Sequence, residues 1–365
     1  MTTSPSMSLP PRSSELIIFE SIASVSLIVL SVTGNVFILT ALYRNPRLRN
    51  TTNIYIAALA ITDLLNASIP GTLFASAIIA GKLVYSTLGC RLSGFLVHFL
   101  TYVSMATMTL TAVNRYFRVV KPQYYKKLFG DKRSCYIIAF LWLLIAAFVL
   151  YPTAFGMAEF SFNSPSSFCA YTFANKAAEV SFTLTVVSVL VVFCLSLVCV
   201  CYYQVSKATR SHNAGVFLSL QGVSAHEIKL SKVLFIMVFA FALCWLPTFG
   251  VILLIRLILG RAPHGLAVMI PFLLQTSSVL NPIIYGALSP PFRREFRRLI
   301  SLKRADCRTD ESHRSVNTGY AATHERGLAL EQISIRHNSV PDIFCSKRNG
   351  LNNLSQREEQ KIAWL

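Results

Sequence analysis

Two cysteines, one arginine and one aspartate carry most of the chemistry open to this chain. Cys90 begins a stretch of more than twenty mostly apolar residues that closes on Asn114-Arg115-Tyr116. Wound as one α-helix, the 25 residues from Cys90 to Arg115 rise about 37 Å, more than the ~30 Å hydrocarbon layer of a bilayer. Such a rod holds a thiol at one membrane face and a guanidinium at the other. Thiols pair in an oxidising compartment and basic residues gather on the cytoplasmic side, which puts Cys90 outside and Arg115 inside. Asp63 lies in another apolar run, about 15 Å from its inner end and so near the bilayer midplane. A carboxylate there costs several kcal/mol unless compensated, so it must face the bundle interior and meet a cation, a proton or hydrogen-bond donors. A protonated Asp63 bonded to its neighbours satisfies the same pattern.

These groups need long apolar helices to position them, and the composition supplies them. The chain has 365 residues, 53% hydrophobic and 14% charged, where a soluble domain carries about a quarter charged. Apolar runs of about twenty residues recur over 16–42, 54–80, 88–117, 135–156, 177–205, 228–259 and 266–288. The fold class is therefore an all-α membrane protein, a seven-transmembrane helix bundle. An odd number of spans leaves the termini on opposite sides. Basic residues cluster in alternate loops: Arg44 and Arg47; Lys126, Lys127 and Arg133; Lys207 and Arg210; and Arg293, Arg294, Arg297 and Arg298 after the last run. This predicts an extracellular amino-terminal tail over 1–15, a receptor domain over 16–304 and a cytoplasmic tail over 305–365. A net charge of +18 suggests nucleic acid, but a nucleic-acid site needs its cations on one soluble face, and here they sit at alternate span ends.

With this topology only Cys90 and Cys169 of the nine cysteines face outward, and a disulfide is the simplest pairing; two free thiols are the alternative. Gly34 beside Asn35 lets another helix approach span one closely and leaves an amide that needs a partner. Pro247 interrupts the backbone ladder of span six and makes a pivot. Phe292, Phe296 and Leu299 fall on one stripe with arginines opposite, which predicts a short amphipathic interfacial helix after the seventh span, drawn to anionic lipid. Cys307 beside it is a candidate for lipidation or an unmodified thiol. The tail lacks helical or strand period and reads as disordered.

Taken together, Gly34-Asn35, the run ending at Asp63, Cys90 with Cys169, Asn114-Arg115-Tyr116, Trp142, Cys244-Trp245-Leu246-Pro247 and Asn281-Pro282-Ile283-Ile284-Tyr285 occur in order, one set per span. The pattern resembles the rhodopsin-like (class A) G protein-coupled receptors over about 16–304. The resemblance implies a G-protein-coupling and activation switch made of Asn114, Arg115, Tyr116, Tyr202, Glu227, Phe241, Trp245, Pro247, Asn281, Pro282 and Tyr285. In it Glu227 restrains Arg115 until span six swings outward, and Tyr202 and Tyr285 turn inward. It also implies a sodium pocket of Asp63, Ser104, Ser277 and Asn281. Two residues depart from the family. Asn114 replaces the usual acid, an asparagine shared with melatonin-type receptors, and Cys194 replaces the proline of span five.

The ligand is narrowed by elimination. The position where aminergic receptors carry an aspartate is Val97, and the position of the retinal lysine is Gln275, so neither an amine held that way nor retinal is expected. The ligand-binding candidates are Val97, His98, Thr101, Phe168, Tyr171, Trp245, Phe249, Ile252, Arg256, Phe272 and Gln275. Such apolar walls with a few polar groups suit a neutral or weakly anionic small molecule or a small peptide. Expected partners are an extracellular ligand, a heterotrimeric G protein, arrestin and receptor kinases through the tail, and the bilayer, with the protein in the plasma membrane and no nucleic acid bound. No catalytic residues are expected, and no cofactor beyond sodium. Two alternatives are a receptor-like protein that does not signal, which the departures at Asn114 and Cys194 keep open, and a transporter, which would show repeats or several intramembrane charges.

Overall fold

The computed structural model describes residues 8–48, 50–213, 225–299 and 301, the side chains of 47, 126, 211–213 and 225–232 excepted. Seven of its helices are long and apolar enough to cross a membrane: Ser14–Arg44, Thr51–Ala80, Thr87–Val120, Asp131–Ala154, Lys176–Arg210, Val233–Leu259 and His264–Leu288. These are called spans one to seven. Their starts are written in the sequence. Ser13, Asn50, Ser86 and Asn175 each accept a backbone N–H in the first turn of spans one, two, three and five, at 3.3, 3.1, 3.2 and 2.9 Å. Gly81 closes span two in the left-handed conformation, φ 67°, which an L side chain resists.

Three spans carry wide π turns, at Ala67–Gly71, Val187–Phe193 and Leu254–Leu259. The first contains Pro70, whose missing N–H a regular helix would leave as a gap in the ladder. The second ends immediately before Cys194, whose thiol donates to the carbonyl of Val189 at 3.5 Å, so the winding widens here without a proline.

Spans two, three and seven are the inner helices, more than half buried, whereas spans one and four leave most of their surface facing outward for lipid. Gly34 has the role its sequence suggested: a Cβ there would meet the ring of Pro282 at 2.7 Å, so only glycine lets spans one and seven touch. Asn35 finds its partners in the carbonyls of Ser31 and Ser278, at 2.9 and 3.3 Å. A short helix over 290–299 follows span seven; it buries Phe292 against Tyr285, half-buries Phe296 against Phe37, and leaves its four arginines exposed.

The loop between spans four and five holds structure that its Ser-, Phe- and Asn-rich composition did not announce. Strand β1, Ala158–Asn163, pairs antiparallel with β2, Phe168–Phe173, in a hairpin whose register places Phe162 opposite Cys169. Ser167 turns the corner at φ 61°. The Cys90–Cys169 disulfide ties β2 to the start of span three. A Cβ at Gly94 would strike Phe160 at 2.7 Å, so a glycine in span three is what seats the hairpin against the bundle. Cys307 and residues 302–365 lie outside the described residues.

Candidate functional site

Beneath the hairpin is a cavity of about 460 Å³ walled by spans three, five, six and seven. Val97, His98, Thr101, Phe168, Tyr171, Phe249, Ile252 and Arg256 all line it. Trp245 sits below, stacked on Phe241 at 4.6 Å and tilted against Phe249 at 5.7 Å. Phe272 and Gln275 stand off the wall. Phe272 packs edge-on against Phe74 at 5.5 Å, and Gln275 fills the space that the absent side chain of Gly71 leaves open. Ile270 and Leu274 present span seven to the cavity instead.

His98 is held in one tautomer. Its Nδ1 lies 2.7 Å from the Gly94 carbonyl, which can only accept, so Nδ1 carries the hydrogen and Nε2 is left as an acceptor. The imidazole is boxed by the rings of Tyr171 at 4.5 Å and Phe160 at 5.8 Å. Tyr171 donates its hydroxyl to the Val149 carbonyl at 2.5 Å, and burial pushes that phenol well above its ordinary range, so it stays neutral.

Sequence reasoning missed Glu179, Phe173 and Phe182. Glu179 accepts from the guanidinium of Arg256 and, at 2.9 Å, from Lys176, which also donates to the Arg256 carbonyl at 2.5 Å. Arg256 further lies over the Phe173 ring at 5.5 Å. Arg256, the one cation among the ligand-binding candidates, is thus paired. The spacing Lys176–Glu179 at the start of a span was the available signal, since one turn of helix brings such residues together.

At mid-bundle Asp63, 3% exposed, accepts from Ser278 Oγ at 2.9 Å and Asn281 Nδ2 at 2.7 Å. Ser277 is turned away and donates to the Leu274 carbonyl at 2.7 Å, so the neighbouring hydroxyl takes the place read for it. Ser104 is buried.

At the opposite end from the disulfide, Arg115 and Asn114 are both fully buried. Asn114 accepts from Thr52 Oγ1 at 3.1 Å and donates to Tyr125 at 3.5 Å, so span two and the short helix Pro122–Leu128 take up the amide. Tyr116 rests edge-on against Phe117. Tyr202 packs on Phe235 at 5.7 Å and Tyr285 on Phe292 at 5.2 Å, both hydroxyl-bearing rings buried. Pro247 stands within span six and Pro282 within span seven. The side chain of Glu227 lies outside the described residues.

The same arrangement of spans occurs in solved structures. The crystal structure of squid rhodopsin superimposes with a TM-score of 0.71 at 19% identity, covering 84% of this chain and 93% of that one. In sequence the chain is 30% identical to the melatonin receptor type 1C of Gallus gallus over 282 residues, 76% of this chain and 80% of the relative. It is 27% identical to the melatonin receptor type 1A of Mus musculus over 298 residues, 80% and 82% of the two chains. Residues 34–285 match the family model described as 7 transmembrane receptor (rhodopsin family). The chain belongs to the rhodopsin family of seven-transmembrane receptors, and it is a receptor rather than an enzyme.

Proposed function

We propose that this receptor binds a neutral, largely aromatic small molecule in the cavity beneath the hairpin and passes the event to a heterotrimeric G protein. One observation carries the ligand class: the cavity's arginine is already matched by Glu179, so an anionic group gains little there, while the rest of the wall is ring and aliphatic carbon. The two relatives compared above are named melatonin receptors, which makes melatonin the first ligand to test. The disulfide end faces outward and the Arg115 end inward, in the plasma membrane, as the distribution of lysine and arginine supports.

Transmission runs through span six. Trp245 and Phe241 lie directly below the cavity floor at Phe249, so a ligand that displaces Phe249 moves this stack, and Pro247 lets the inner half of the helix swing. Glu227 opposes that swing through Arg115. Asp63, with Ser278 and Asn281 bonded to it at mid-bundle, suits a hard cation such as sodium, and the buried Ser104 is kept as a further oxygen for that pocket. The Ser- and Thr-bearing tail serves receptor kinases and arrestin.

Nucleotide exchange on several classes of G protein, in membranes carrying the full chain, tests the reading. Measurable exchange without ligand is expected, raised by Glu227→Ala and altered by melatonin or another neutral aromatic compound that occupies the cavity. Exchange equal to that of receptor-free membranes with every G protein and both variants would leave the chain a receptor that does not signal.

A further inference from the structure

At the edge of the ligand cavity, one buried carboxylate joins three elements directly and two more through its partners' side chains. Glu20, on the first turns of span one, is 2% exposed. One of its oxygens accepts from Arg12 of the amino-terminal segment at 2.6 Å, and the other lies 3.0 Å from Nε2 of His264, the first residue of span seven. Arg12, 3% exposed, also donates to the carbonyl of Ile78 at the end of span two, at 2.9 Å. The remaining ring nitrogen of His264, Nδ1, lies 2.9 Å from the carbonyl of Pro165 in the hairpin turn.

Both imidazole nitrogens therefore face oxygens that accept. The Pro165 carbonyl has no hydrogen to give, and the Glu20 carboxylate already accepts from Arg12 at 2.6 Å. A neutral imidazole has one N–H and satisfies one of these oxygens; only the imidazolium satisfies both. The amino end of a helix disfavours a cation, which makes Glu20 the group that holds one there. Glu20 faces the ring directly and Arg12 faces it across the carboxylate. Lys82 and Arg261, also at this end, form no ion pair with either residue among the described contacts.

We propose that His264, Glu20 and Arg12 form a proton-binding clasp: taking up a proton on His264 fastens the amino-terminal segment, span one, span seven and the hairpin together over the cavity, and losing it loosens them. The clasp extends along the segment, where Leu9 N–H bonds the Gly81 carbonyl at 2.8 Å and Ser164 donates to the Ser8 carbonyl at 2.5 Å. It reaches the ligand site because Pro165 and its neighbour Ser166 line the cavity. Protonation stabilises the closed arrangement, so the sign is fixed: the closed form is favoured at low pH and weakens as pH rises through the range in which histidine titrates.

Hydrogen–deuterium exchange on the full chain in lipid nanodiscs tests this without a ligand or a G protein. Rates are compared at about pH 5.5 and about pH 8, on either side of the ordinary histidine value, after correction for intrinsic pH dependence. Segments 8–13 and 158–173 should exchange roughly tenfold more slowly at the lower pH, the worth of a hydrogen bond to a charged group. His264→Gln and, independently, Glu20→Gln should remove the difference while segment 104–115 stays unaffected in all three proteins. Equal corrected rates in the unsubstituted chain, a pH difference that survives His264→Gln, or a difference of the same size in 104–115 would each overturn the clasp. If His264→Gln does not fold, Glu20→Gln decides alone.

Discussion

At the disulfide end, the helices are joined by bonds that resist separation: Cys90–Cys169, the Glu20 carboxylate between Arg12 and His264, and Glu179 between Lys176 and Arg256. Toward the Arg115 end the contacts around Asn114 are single neutral hydrogen bonds from Thr52 and to Tyr125, and Tyr202, Phe235, Tyr285 and Phe292 meet ring on ring. Rings and neutral amides can exchange one partner for another at small cost, whereas a disulfide and a buried carboxylate cannot. The less exchangeable contacts thus lie around the cavity beneath the hairpin, and the more exchangeable ones around Asn114 and the tyrosines Tyr202 and Tyr285.

The largest test of that contrast is Cys169→Ser. The bridge closes a loop of sequence separation 79, worth about 3–5 kcal/mol, and its loss should cost most of the folded receptor in thermal unfolding and cell-surface yield. Retention of the parent's thermal stability would mean that the hairpin is held by packing alone. Next is Gly34→Leu, which forces spans one and seven apart at Pro282; a loss of about 1–3 kcal/mol in thermal stability is expected, with Gly250→Ala, where nothing lies within 4 Å, as the control. At the opposite end, Asn114→Asp gives Arg115 a carboxylate neighbour and should reduce ligand-free nucleotide exchange about tenfold, equivalent to ~1.4 kcal/mol. Unchanged or increased basal exchange would show that this position does not restrain the arginine. The smallest effect belongs to Glu179→Gln. The pair is partly solvated, so stability should fall by less than about 1 kcal/mol, yet the cavity gains a free guanidinium and should bind anionic aromatic compounds that the parent rejects. Equal binding of such compounds by both proteins would remove the argument for a neutral ligand.

The spans were legible because twenty apolar residues in a row have one stable arrangement in a bilayer, and Cys90, Cys169 and Gly34 because their chemistry or size admits few uses. Facing is harder to read. Phe272 and Gln275 share span seven with the lining residues Ile270 and Leu274, and what turns Gln275 aside is a glycine on span two, far away in sequence. Glu20 was missed for the same reason, since one of its partners lies 244 residues further on. The hairpin was missed because its strands are six residues each, in a segment whose Ser-, Phe- and Asn-rich composition reads as loop.

The wide turns in spans two, five and six act as phase slips. Each inserts backbone without lengthening the regular winding, so side chains beyond it are rotated by about the 100° that one residue subtends on a helix. A helical wheel drawn through 187–193 of span five therefore describes one half of that span correctly and misassigns the other. Deleting a single residue there would turn Phe182 and Tyr202, now both directed inward, out of register with each other, so that one end of the receptor could face its partners only if the other faced lipid.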